Sequence, residues 1–237
     1  MPFLWAICAR STRLCLIKFP ENRPRLVLVV PSPSAEGHTS DTLLATLDKA
    51  LAAGDIASVI LDNGKTDEAS FQTFAAAAVS KIQGSGAAAI ILNDTRTAGR
   101  VGADGVHIEG SLADIADAIE RYTPKLIVGT GNVKERHTAL EVGELQPDYM
   151  FFGKIGADSK AEAHPRNLSL AEWWAAMVEI PAILQAGSKI DDLAACFATR
   201  AEFIALGAAV FSADNPAQVV ADANRLLDEM SAAETEE

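Results

Sequence analysis

The side chains of this chain best suited to chemistry are not gathered in one motif but recur singly, each just beyond a short apolar run. Asp62-Asn63-Gly64 follows Ala57–Leu61, Asn93-Asp94 follows Ala88–Leu92, and Glu109-Gly110 follows Gly105–Ile108. Gly131 and Asn132 close the run that begins at Leu126, and Gly153-Lys154 follows Tyr149–Phe152. Gln185-Ala186-Gly187 and Gly207-Ala208-Ala209 end the last two runs. Two chemistries are implied. Asp62, Asp94 and Glu109 are hard oxygen donors that could share a divalent cation, or form an acid/base pair with a raised pKa. The small residues at Gly187 and at Gly207-Ala208 let backbone N–H groups approach an anion, and a helix start behind them adds a favourable dipole. The plainer reading is that the carboxylates cap turns and helices and the glycines ease tight turns.

The elements that must position these residues are legible from hydrophobic patterning. Eight apolar runs, Leu26–Val30, Ala57–Leu61, Ala88–Leu92, Gly105–Ile108, Leu126–Gly129, Tyr149–Phe152, Ala182–Leu184 and Phe203–Leu206, are continuous rather than alternating. Continuous runs of this length are expected where both faces of a parallel strand are covered. Helix-length stretches, such as Thr42–Ala53, Glu68–Ile82, Ser169–Val178 and Pro216–Met230, separate them. Strand and helix in alternation imply a parallel sheet, and eight units favour closure into a single-domain (β/α)8 TIM barrel over 25–228. A doubly wound open sheet is the alternative. In the barrel, chemistry belongs at the strand ends singled out above. Residues 1–24 read as an N-terminal extension and 229–237 as an acidic C-terminal tail.

Composition narrows the partners. A formal net charge of −12 over 237 residues argues against nucleic acid. It leaves room for a small phosphorylated metabolite, because a few local cations suffice. Cys8, Cys15 and Cys196 have no metal-type spacing, which points to a reducing cytoplasm. Met1–Phe19 carries Arg10, Arg13 and Lys18 among apolar residues, but its longest apolar run, Phe3–Ala9, is too short for a membrane span. A helix lying on a membrane surface is the alternative to a plain extension. His107 lies inside a strand, where a structural role is expected, and His38 and His137 have no evident partner. Of Trp173-Trp174, one ring should pack inward and the other mark a contact in a homo-oligomer. The stretch Gly153–Asn167, with Lys154, Lys160, His164 and Arg166, reads as a lid bringing cations to an anion, or as a solvated loop neutralised by Asp158 and Glu162.

Ile91-Leu92-Asn93-Asp94 followed by Val101-Gly102-Ala103-Asp104-Gly105-Val106-His107-Ile108 resembles the third and fourth strands of thiamine phosphate synthases. Leu126-Ile127-Val128-Gly129, Asp148-Tyr149 with Gly153, and Ile180-Pro181 with Gly187 add weaker matches in the same order. That family joins a pyrimidine diphosphate to a thiazole phosphate and releases pyrophosphate, with magnesium holding the leaving group. The resemblance implies that Asn93 and Asp94 contact the diphosphate and its magnesium, and that Lys160 reaches the diphosphate. It also implies that the backbone at Gly187, Gly207 and Ala208 holds the thiazole phosphate.

Several positions depart from the family's pattern. Its Gln-Leu-Arg at strand 2 stands here as Ile60-Leu61-Asp62, which exchanges a cation for an anion. Its Gly-Gln-x-Asp after strand 4 stands as Glu109-Gly110-Ser111-Leu112, so the second magnesium ligand is absent. A serine at strand 5, among the contacts to the substrates, is Gly131. Asp62, Asp94 and Glu109 are therefore expected to form a relocated metal site if synthase chemistry is retained. The alternative is a non-catalytic or repurposed phosphate-binding barrel. The related thiazole tautomerases use a histidine where Asn132 stands. A Schiff-base aldolase would need a lysine within a strand, and no predicted strand holds one.

Overall fold

The computed structural model describes residues 23–235, so Met1–Phe19, with Cys8 and Cys15, and the extension or membrane-surface helix expected there lie outside the described residues. Eight strands, β1 (Arg25–Val30), β2 (Ile56–Leu61), β3 (Ala88–Leu92), β4 (Gly105–Ile108), β5 (Ile127–Gly131), β6 (Tyr149–Phe152), β7 (Ala182–Gln185) and β8 (Phe203–Leu206), alternate with helices. Each strand pairs in parallel with its neighbours in sequence, and β8 pairs with β1, giving a closed barrel. The open-sheet alternative is thereby excluded. The helices are α1 (Ser40–Leu51), α2 (Glu68–Ser85), α3 (Thr95–Val101), α4 (Leu112–Tyr122), α5 (Arg136–Gly143), α6 (Pro165–Met177), α7 (Leu193–Ala198), α8 (Ala208–Phe211) and α9 (Pro216–Thr235).

Local chemistry explains where helices begin. Thr39 and Ser111 make reciprocal capping boxes with Thr42 and Asp114 at α1 and α4, and Asp67 caps α2. At α6 the His164 ring accepts from Arg166 N and Pro165 occupies the first turn. The predicted loop Gly153–Asn167 therefore ends at His164. Helix α9 runs to Thr235, further than a tail starting at residue 229 allows, with Ser231 buried along it. Arg23 and Pro24, placed by sequence in the extension, are also part of the fold. The Arg23 guanidinium is buried and bonds Asn224 Oδ1 (2.9 Å) and Asp228 Oδ1 (2.5 Å) on α9.

Acids just before the even-numbered strands hold the N-terminal end of the barrel together. Asp104 accepts from Ala89 N of β3 (2.9 Å), Asp148 from Val128 N of β5 (2.7 Å), and Glu202 from Ala182 N of β7 (2.7 Å). Asp55 takes the Arg25 guanidinium with both oxygens at 2.7 Å. These carboxylates serve the sheet at the end away from the chemistry.

Two apolar clusters form the core, one between sheet and helices and one inside the barrel, where Val29, Ile60, Ile90, Phe151 and Ile183 meet. The remaining space at the N-terminal end, lined by Ser58, Ala88 and Tyr149, amounts to about 10 Å³. That is room for a single water at most, so the barrel is a packed core and not a channel. Trp174 is fully buried against Phe152 and donates to Ile180 O (2.7 Å), while the guanidinium of Arg136 lies over Trp173 at 5.1 Å. No helix among the described residues is long and apolar enough to cross a membrane.

Candidate active site

Side chains alternate across a strand, so the residue two beyond an inward one also faces inward. Ile60 is followed in this way by Asp62, His107 by Glu109, Phe151 by Gly153, Gln185 by Gly187, and Ala205 by Gly207. The C-terminal mouth thus carries two acids and three glycines.

Beneath the acids lies His107, fully buried, with Nδ1 3.0 Å from the Tyr149 hydroxyl and the two rings stacked. Burial pushes the imidazole pKa down to about 3, so the ring is neutral. Its Nε2 lies 4.0 Å from Glu109 Oε1, and neither buried atom has a hydrogen-bond partner. Burial raises the Glu109 pKa, with the Asp62 charge adding to it, while the Ile155 N–H and the Lys154 charge oppose the rise. Burial likewise raises Asp62, against a hydrogen bond from Gly64 N (2.8 Å).

The other predicted site residues are placed differently. Asn93 adopts φ 53° and its Oδ1 accepts from Glu109 N (2.7 Å), tying the end of β3 to the end of β4. Asp94 caps α3, its Oδ1 accepting from Thr97 N (2.8 Å). Among the described residues no group of three or more histidine, cysteine, aspartate or glutamate side chains is gathered to hold a metal ion. Asp62, Asp94 and Glu109 therefore do not form the predicted ligand trio: the Asp62 charge acts on Glu109, while Asp94 caps α3. Donors so disposed do not fit a magnesium cage. Gly131 makes close packing possible, since a Cβ there would sit 2.8 Å from Phe151 Cβ and 3.2 Å from His107 Cε1. Lys160 is exposed.

Just beyond β7 and β8, three backbone N–H groups donate to oxygens of residues 158–161. Ala208 N donates to Asp158 Oδ2 (2.6 Å), Ser188 N to Lys160 O (2.7 Å) and Lys189 N to Ala161 O (3.3 Å). Glycine is required at the end of β7, where a Cβ on Gly187 would overlap the Ala161 carbonyl, while a Cβ on Gly207 would lie 2.6 Å from Asp158 Oδ2 and displace that carboxylate. Sequence reasoning weighed Asp158 only as a neutraliser of nearby lysines and passed over Ile155. An isolated apolar residue in a polar loop was the available signal, for Ile155 is buried in the barrel's inner cluster.

A family model for thiamine monophosphate synthase matches residues 26–210, most of the barrel. The chain belongs to the thiamine monophosphate synthase family. Thiamine-phosphate synthase of Rhodospirillum centenum is 31% identical over 210 residues, 86% of this chain and 97% of that protein. That of Hyphomonas neptunium is 28% identical over 215 residues, 88% of this chain and 97% of the relative. The thiamine phosphate pyrophosphorylase structure from Pyrococcus furiosus superposes with a TM-score of 0.72 at 19% identity, covering 89% of this chain and 98% of that one. A 3-hexulose-6-phosphate synthase structure gives 0.64 at 15% identity, covering 86% and 99%. At those identities the structural likeness speaks for the barrel alone, and family membership rests on the sequence matches.

Proposed function

We propose that this protein acts in thiamine biosynthesis as a thiamine phosphate synthase-type barrel that binds thiazole phosphate at the ends of β7 and β8. The observation that carries this reading is the set of three N–H donors at Ser188, Lys189 and Ala208, which take oxygen acceptors, one of them a carboxylate. Oriented backbone N–H groups that donate to an anionic oxygen at a glycine-lined strand end are suited to phosphate. The reaction is the joining of thiazole phosphate to a hydroxymethylpyrimidine diphosphate with release of pyrophosphate. Asn93 and Lys160 are the residues nearest the diphosphate by family position. No step is assigned to magnesium, whose predicted carboxylates are not gathered.

A second reading, a phosphate-binding barrel without synthase turnover, is favoured by Asp62 and Glu109. Both are half-buried at the mouth, where a diphosphate would meet anions in place of a cation. One experiment separates the two. The purified protein is incubated with the pyrimidine diphosphate, thiazole phosphate and magnesium, and thiamine phosphate is measured as its oxidised fluorescent derivative. Product formation supports the synthase. No product, with thiazole phosphate still raising Tm, supports the binding barrel. No product and no change in Tm overturns both.

A further inference from the structure

We infer that the segment between β6 and α6 is an autoinhibitory strap: it seats its own oxygens where a phosphorylated ligand must bind, and has to leave before the ligand enters. The inference rests on the phosphate seat proposed above. The strap is fastened along its length. Lys154 N donates to Gln185 Oε1 (2.9 Å), the Ile155 N–H faces the Glu109 carboxylate, and the Ile155 side chain is buried in the barrel mouth. Asp158 then takes Ala208 N, the Lys160 and Ala161 carbonyls take Ser188 N and Lys189 N, and Ala163 N donates to Asp192 Oδ2 (2.6 Å).

Two facts make this occupation exclusive. Gly187 and Gly207 are in contact with Ala161 and Asp158, so no gap remains between strap and seat for a phosphate. A phosphate on Ala208 N would also stand against the Asp158 carboxylate, and two anions at hydrogen-bonding range repel strongly in a partly dry site. Closed strap and bound phosphate are therefore alternatives. The apparent affinity is lowered by the fraction of molecules whose strap is open. The same segment carries Lys154 and Lys160, both exposed. Without Asp158 the charges of 153–163 are Lys154, Lys160 and Glu162, a net positive balance.

Removing the Asp158 carboxylate deletes one charge-assisted hydrogen bond that holds the strap closed. In calorimetric titrations of the full-length protein, Asp158→Ala is expected to bind thiazole phosphate and inorganic phosphate about ten- to a hundredfold more tightly than the wild type. Asp158→Asn, which keeps an acceptor without the charge, should fall between them. Amide hydrogen exchange across 153–163 should accelerate in Asp158→Ala, and in the wild type on addition of either ligand. Equal affinities in wild type and Asp158→Ala would overturn the strap and leave the seat standing. No phosphate binding by either protein, with exchange still faster in the variant, would overturn the seat and with it the competition proposed here.

Discussion

The Tyr149 hydroxyl and His107 Nδ1 are hydrogen-bonded at 3.0 Å between two fully enclosed, stacked rings. With the imidazole neutral and Glu109 on its other side, the favoured tautomer accepts from Tyr149 at Nδ1 and turns Nε2–H toward the carboxylate. Tyr149→Phe leaves a buried imidazole nitrogen without its partner and should lower stability by about 1–3 kcal/mol in denaturant unfolding. Gly129→Ala should cost more, because its Cβ would fall within the Tyr149 ring.

Glu109 gives stability a defined pH dependence. Its folded pKa is raised above the ordinary 4.5, so the folded state holds the proton more tightly than the unfolded chain. The contribution is full below about the unfolded pKa and is lost as pH rises through the folded one. Glu109→Gln should therefore be more stable than the wild type at neutral pH, with the difference shrinking as pH falls toward 4.5. The amide can still accept from the Ile155 N–H and can offer a donor to the mouth. Unfolding midpoints measured between pH 4 and pH 8 check the sign, and a wild type that is the more stable at neutral pH would refute it.

Arg23 joins the entry of β1 to α9 on the outside of the barrel. Arg23→Ala should cost about 2 kcal/mol in urea unfolding, less than the 3–5 typical of a fully buried pair. Asp228, 62% exposed, regains water when its partner is removed. A loss within about 0.5 kcal/mol, the range of ordinary surface substitutions, would return Arg23 to the N-terminal extension.

The barrel was legible because its signal is redundant. Val27 to Val30 or Ala89 to Leu92 are apolar on both faces, and eight such runs leave few topologies. The motif acids Asp104 and Asp148, prominent in the sequence resemblance, turn out to hold neighbouring strands at the N-terminal end. Each precedes its strand, Asp104 before Gly105 and Asp148 before Tyr149, so sequence order alone places both at the end away from the chemistry. Asp62, Asp94 and Glu109 were equally legible as residues just beyond strand ends. Asp62 and Glu109 each stand two residues beyond an inward side chain, whereas Asn93 takes positive φ at the end of β3 and Asp94 caps α3. The contact between Asp158 and Ala208 joins residues fifty apart through a loop with no periodicity, so nothing local announces it.

Asp94 is where capping and ligand chemistry can be separated by substitution. Its carboxylate caps α3 through Thr97 N, and Asn caps as well as Asp does, whereas Ala does not. Asp94→Ala should lose about 1 kcal/mol of stability and Asp94→Asn only a few tenths. Both variants remove the negative charge, so any role of that charge toward a metal or diphosphate is lost equally in the two. Equal loss of ligand binding or turnover, despite unequal stability, would assign Asp94 a function beyond its helix. Loss that follows stability would leave it a cap. Magnesium added alone should not raise Tm beyond an ionic-strength control, because the three carboxylates are not gathered and a stabilising ion must bind the folded state preferentially. A saturable rise at millimolar magnesium that Asp94→Asn abolishes would show that the carboxylates reassemble around the ion.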